Sequence, residues 1–168
     1  MIKKLFASLR EYKKDSILAP VYVTIETFFE LVIPTLMAYL IDYGINAGRM
    51  SVVLLLGLAL IVFAAGSLCM GILAGSSTAT ASAGFAKNLR HDIFRNVQNF
   101  SFSNIDKFST ASIITRLTTD VSNVQNAYQM MVRLGVRSPM MIIFALIFSF
   151  RIDASLSLIF LVTIPVLG

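Results

Sequence analysis

Long apolar blocks alternate with one charged interval along this chain, and the block lengths are those of membrane-crossing helices. Ile17 to Ile41 carries only two charges, Glu26 and Glu30. Its residues, about 25 at 1.5 Å each, cover roughly 37 Å, enough to cross a bilayer with some tilt. Ser51 to Gly84 contains no charged residue and is longer than a bilayer requires, so the second helix is expected to run past the lipid boundary toward Lys87. Met130 to Phe150 makes a third span, with Arg133 and Arg137 near its beginning. After Arg151-Ile152-Asp153 a fourth apolar run starts at Ala154 and reaches Gly168 after about 15 residues, short of the roughly 20 that a crossing helix needs. The sequence therefore reads as the N-terminal part of a longer polypeptide.

The interval from Phe85 to Arg137 is too charged for lipid and too regular for a loop. Phe85, Leu89, Ile93 and Val97 recur every four residues. Ile114, Leu117, Val121, Val124, Tyr128, Met131 and Gly135 then alternate steps of three and four, the spacing of a heptad seam. The two series predict a helical hairpin projecting from the membrane. Its tip, from Ser101 to Phe108, interrupts the periodicity with Ser, Asn and Asp and presents Phe102, Ile105 and Phe108 among polar neighbours. Aromatic anchors of that kind suit the groove of a protein partner. Ser109 or Thr110 can cap the returning helix. Arg116 and Asp120, four apart, can form a helix-surface pair worth a few tenths of a kcal/mol.

Composition agrees with the block pattern: 57% of the residues are hydrophobic and 14% charged, against about a quarter charged in an average soluble domain. Of the 14 Lys and Arg, all but Arg49 and Arg151 fall in the N-terminal segment or the hairpin. That asymmetry places both on the cytoplasmic side of the membrane. Anionic lipid and topology account for the net charge of +5, and no nucleic-acid partner is needed. Ile2, Leu5, Phe6 and Leu9 share a helical face, so the basic N-terminus reads as an interfacial helix on the cytoplasmic leaflet, with a frayed basic tail as the alternative. The apolar run behind it is too long for the core of a cleaved signal peptide.

Catalytic chemistry is missing from the residues. His91 is the only histidine, and Cys69 the only cysteine. Cys69 reads as a small apolar core residue. No metal-ligand spacing, nucleophile triad or phosphate-binding glycine loop occurs. From Gly71 to Gly84 the second span is rich in Gly, Ala, Ser and Thr, which reads as a site of close helix approach or, alternatively, a flexible or cavity-lining stretch. Glu26 and Glu30 lie on one face of the first span, where a lipid-facing charge would cost at least about 2.5 kcal/mol. Three readings of them stand: the wall of a substrate cavity, carboxylates paired to a polar group on a neighbouring helix, or a proton site. Pro20 and Pro34 are expected to bend or start this helix.

The elbow, the prolonged second span and the return arm NIDKFSTASIITRLTTDVSNVQ resemble the start of an ABC exporter transmembrane domain. In that family the return arm commonly reads S-T-G-x-[LI]-x-[ST]-R-L-[ST]-x-D. Ser109, Thr110, Arg116, Leu117, Thr118 and Asp120 fit it, with Ala111 in place of the Gly. The resemblance covers essentially the whole chain and is strongest from Leu89 to Asp120 and from Ile152 to Pro165. It implies an all-α membrane protein of the type-1 exporter fold: an elbow at 1–14, first span 17–41, second span with cytoplasmic extension 51–98, coupling-helix region 99–108, return arm and third span 109–150, and a fourth span beginning at 154–168. Ser101, Phe102, Ser103, Asn104, Ile105, Asp106, Lys107 and Phe108 would form the coupling helix that rests on nucleotide-binding domains.

The same resemblance implies ATP and Mg²⁺ in a later domain and no cofactor in this segment, which itself has no catalytic site. It implies a multi-pass protein of the plasma membrane that exports lipophilic or multidrug substrates. The wording NIDKFSTAS is similar to one subunit type of bacterial heterodimeric multidrug exporters, which favours pairing with a different half-transporter. Glu26 and Glu30 lie outside the family motif. Two other classes compete: a small proton-coupled antiporter, which needs no such hairpin, and a non-transporting scaffold or sensor that uses the hairpin to bind a soluble partner.

Overall fold

A computed structural model describes residues 8–99 and 110–152, and every described element is helical. A 3₁₀ turn at Arg10–Tyr12 leads into α1, Lys13–Tyr39, which widens into a π-helical stretch at Leu40–Ile45. Gly48, in the left-handed region at φ 65°, turns the chain into α2, a position where glycine carries no Cβ penalty. The second helix, α2, runs unbroken from Met50 to Gln98, 49 residues. At 1.5 Å per residue it is about 73 Å long, against a hydrocarbon core of about 30 Å. The return begins with α3, Thr110–Thr115, passes through a π-helical stretch at Arg116–Asp120 and continues as α4, Val121–Ile152. Three helical stretches, Arg10–Ile45, Met50–Gln98 and Ala111–Ile152, are long and apolar enough to cross a membrane.

Pro20 and Pro34 lie inside α1, and Pro139 inside α4. Helix continues on both sides of each, so none of them starts or stops an element. Among the described residues of the expected elbow, 8–14, the chain makes the 3₁₀ turn and then enters α1 directly; residues 1–7, the hairpin tip 100–109 and the start of the fourth span lie outside the described part.

The chain divides into two compact units. Among the described residues, the first joins 8–20 to 74–99 and 110–134. Leu9, Ala19, Ala74, Ala81, Phe85, Ala86 and Val121 form its core, with Thr78, Ser82 and Asn88 buried beside them. The small residues of α2 give this unit its close approach: a Cβ at Gly84 would overlap the ring of Tyr12. Thr78 resolves its own burial by donating to the Ala74 carbonyl at 2.7 Å. Phe85 stacks on Tyr128 with ring centroids 5.1 Å apart, and Tyr128 shares a 2.6 Å hydroxyl hydrogen bond with Ser16.

The second unit joins residues 21–73 to 135–152 among the described residues. Val23, Thr27 and Leu40 are buried in it, and Thr27 donates to the Val23 carbonyl at 2.8 Å. Phe28 meets Phe144 edge-on at 5.7 Å, and Phe29 meets Phe63 edge-on at 5.5 Å, the geometry that aromatic quadrupoles favour. A Cβ at Gly66 would lie 3.1 Å from the Phe29 ring. Leu54, Leu55, Leu58, Ile61 and Val62 are exposed on α2, a continuous apolar surface suited to lipid rather than water. Cys69, expected in the core, is exposed; it shares that outer surface with Leu68 and Ile72, which are also exposed.

Candidate functional site

Glu26 and Glu30 sit one turn apart on α1 within the second unit, and α4 brings Arg137 to both. Nη2 of Arg137 donates to the two carboxylate oxygens of Glu30 at 2.9 and 2.7 Å. Nη1 lies 3.8 Å from Oε1 of Glu26, close enough for Coulomb attraction and beyond hydrogen-bond reach. Glu26 is the more deeply placed of the two, only 8% exposed, while Glu30 keeps about a third of its side chain accessible (36%). Gly71 makes room for the Glu26 carboxylate: a Cβ there would lie 3.0 Å from Oε1. The partner glycine of the small-residue pair, Gly75, faces open space, so Gly71 accommodates a carboxylate rather than a helix backbone.

Two carboxylates and one guanidinium leave the cluster with a formal charge of −1. A guanidinium fork suits this place because it can serve two acceptors at once. The arrangement can attract a cation, fix α1 against α4, or exchange partners. Sequence reasoning treated Arg137 only as a marker of topology. The available signal was an arginine followed by thirteen uncharged residues before Arg151, opposite a span with two carboxylates to satisfy.

The hairpin arms form a second candidate region, in the first unit. Buried Phe85 and half-buried Leu89, Ile93 and Val97 face inward on α2, at the four-residue spacing read from the sequence. The return arm differs from its expected seam. Ile114, Val124 and Met131 are exposed, whereas Leu117, Val121, Gln125, Tyr128 and Val132 are buried or half-buried. Around the regular α4, Gln125, Tyr128 and Val132 lie within about 40° of Val121, whereas Val124 and Met131 lie about 60–80° to one side; the wide turn of the π-helical stretch at Arg116–Asp120 precedes them all. Side-chain hydroxyls serve the carbonyls of that stretch, Thr118 donating to Ile114 at 2.8 Å and Ser122 to Thr118 at 2.9 Å. Arg90 of α2 reaches Ser122 at 3.2 Å and links the two arms. Arg116 and Asp120 bracket the wide turn and are both exposed.

The N-terminal segment is tied to α2 by a cluster the sequence did not disclose. Asp92 accepts from Ser8 Oγ at 3.0 Å and from Arg10 at 2.7 Å, and Asn88 donates to the Ser8 carbonyl at 2.8 Å. The expected coupling residues, Ser101 to Phe108, lie outside the described residues. No group of His, Cys, Asp and Glu able to hold a metal ion occurs among the described residues.

Comparison with known proteins agrees with this architecture. The family described as the ABC transporter transmembrane region matches residues 16–168. An uncharacterized ABC transporter ATP-binding protein of Bacillus subtilis is 34% identical over 99% of this chain and 29% of its own length. A similarly described protein of Mycobacterium tuberculosis is 27% identical over 95% of this chain and 28% of its own. An ATP-dependent lipid A-core flippase of Pseudoalteromonas translucida is 26% identical over 99% of this chain and 29% of its own. The chain thus spans less than a third of the length of the curated relatives it matches.

Proposed function

We propose that this chain, which belongs to the ABC transporter transmembrane-region family, is the force-receiving half of a membrane domain that exports lipophilic molecules when ATP is hydrolysed elsewhere in the transporter. The observation that carries the reading is α2: 49 residues of unbroken helix, more than twice what a bilayer needs, in a chain matched by the family from residue 16 to 168. Such a helix can carry displacement from outside the membrane to residues within it. The N-terminus and hairpin lie in the cytoplasm in this reading, on the strength of their Lys and Arg, and the host is the plasma membrane.

Ser101 to Phe108 act as the coupling helix against nucleotide-binding domains, which hold ATP and Mg²⁺. The other half of the translocation path comes from a second half-transporter, a different subunit in keeping with the NIDKFSTAS wording. Glu26 and Glu30 line the inner path, and nucleotide-driven rocking of the long helices alternates its access. Amphipathic lipids join lipophilic drugs in the substrate class, in keeping with the flippase relative. The reading is tested in proteoliposomes holding the full-length pair. Phe102→Ala and Ile105→Ala should abolish ATP-dependent movement of a lipophilic dye or labelled lipid while ATP turnover persists. Undiminished transport in both variants would remove the coupling role.

A further inference from the structure

Arg137 meets two acceptors of the same chemistry and satisfies only one. Its Nη2 serves both oxygens of Glu30 at 2.7 and 2.9 Å, while Glu26, 8% exposed, lies 3.8 Å from Nη1 with its carboxylate against Gly71. Four residues separate the two carboxylates, about 6 Å along α1. A static clamp needs only one acid, because each further carboxylate in an apolar span carries a desolvation cost. Two seats for one cation make sense when the helices that carry them move.

The backbone is weakened at both partners. Pro34 lies four residues after Glu30 and supplies no N–H to that residue's carbonyl; Pro139 lies four after Gly135, two residues beyond Arg137, and does the same there. Each proline interrupts the helical ladder where a partner is mounted, which is where helices bend. The Phe28 ring, between the two acids in sequence, touches both Phe144 and Phe148 of α4, one turn apart, an apolar contact that can slide by a turn without being lost.

We propose that Glu26 and Glu30 are alternative seats for the Arg137 guanidinium, and that the transporter passes it from one to the other as α1 and α4 shift past each other. One-turn shifts of this kind are a known form of bistable packing. The inference rests on the alternating-access reading above and assigns it a pair of end states: guanidinium on Glu30 in one, on Glu26 in the other.

The test uses the full-length transporter with nitroxide labels at Ala38 on α1 and Ala145 on α4, both exposed, and reads the distance distribution without nucleotide and with ATP plus orthovanadate. Two distances should appear, their ratio responding to nucleotide. Glu30→Gln should shift that ratio about tenfold one way and Glu26→Gln about tenfold the other, the scale of one charged hydrogen bond. Glu30→Asp, which retains the charge and shortens the reach, replaces the Gln variant if the latter does not fold, with a shift of the same sign expected. Shifts in the same direction, or no response to Glu26→Gln, would overturn the exchange and leave a fixed clamp. Transport is measured on the same samples: a wild-type protein that moves no substrate with ATP fails the transport reading, while the opposed shifts still decide the exchange.

Discussion

Removing Arg137 would strand two acids in the apolar part of the chain. Breaking a buried ion pair from one side costs about 3–5 kcal/mol, and the partial exposure of Glu30 and Arg137, 36% and 32%, places this case near the lower end. Arg137→Met is therefore expected to lower thermal stability by about 3 kcal/mol, and adding Glu26→Gln and Glu30→Gln to the same chain should recover most of the loss. A melting series across the variants checks both statements. Gly84 makes a second prediction at this scale. Valine there would drive into the Tyr12 ring, with the roughly 1–3 kcal/mol cost of overpacking, and Tyr12→Ser should return part of it in the same assay. Arg137 shows why the site was only half legible beforehand. The acids announced themselves by cost, since a charge inside an apolar run demands a partner; which partner depends on how remote helices pair, and spacing within one helix says nothing about that.

At the level of elements, the anchoring of the N-terminal segment separates into strong and weak contributions. Arg10 is more than half exposed, so its pair with Asp92 is worth under about 1 kcal/mol. Asn88 is buried and serves the carbonyl of Ser8, itself buried; losing that donor costs about 1–3 kcal/mol. Asn88→Leu should accordingly release the segment to protease far more than Asp92→Asn does, as judged by the rate of N-terminal cleavage in membranes. The arms show the same division between what periodicity discloses and what it hides. On α2, Phe85, Leu89, Ile93 and Val97 could be read directly because no irregularity intervenes. On the return arm Val124 and Met131 depart from the expected seam, because a three-four alternation in sequence does not disclose how wide a stripe the neighbouring helix covers.

The molecule as a whole was legible as an all-α membrane domain because its apolar runs exceed anything a soluble core of this size would use. If the hairpin is cytoplasmic, as proposed, a Lys87→Cys variant should react with a membrane-impermeant maleimide in inverted vesicles and stay protected in right-side-out cells, while Cys69 resists the reagent in both. Reaction of the introduced cysteine from the outside would reverse the orientation. The unbroken course of α2 adds a rule about phase. In a helix free of proline and wide turns, position along the chain is equivalent to a compass bearing, advancing 100° per residue. Deleting one residue within 75–81 would swing Gly84, Asn88 and Asp92 away from Tyr12, Ser8 and Arg10 while sparing the Gly71 seat of Glu26. Deleting seven would restore the bearing to within about 20° and shorten the rod by roughly 10 Å, so the two lesions would separate a transporter that has lost its aim from one that has lost its reach.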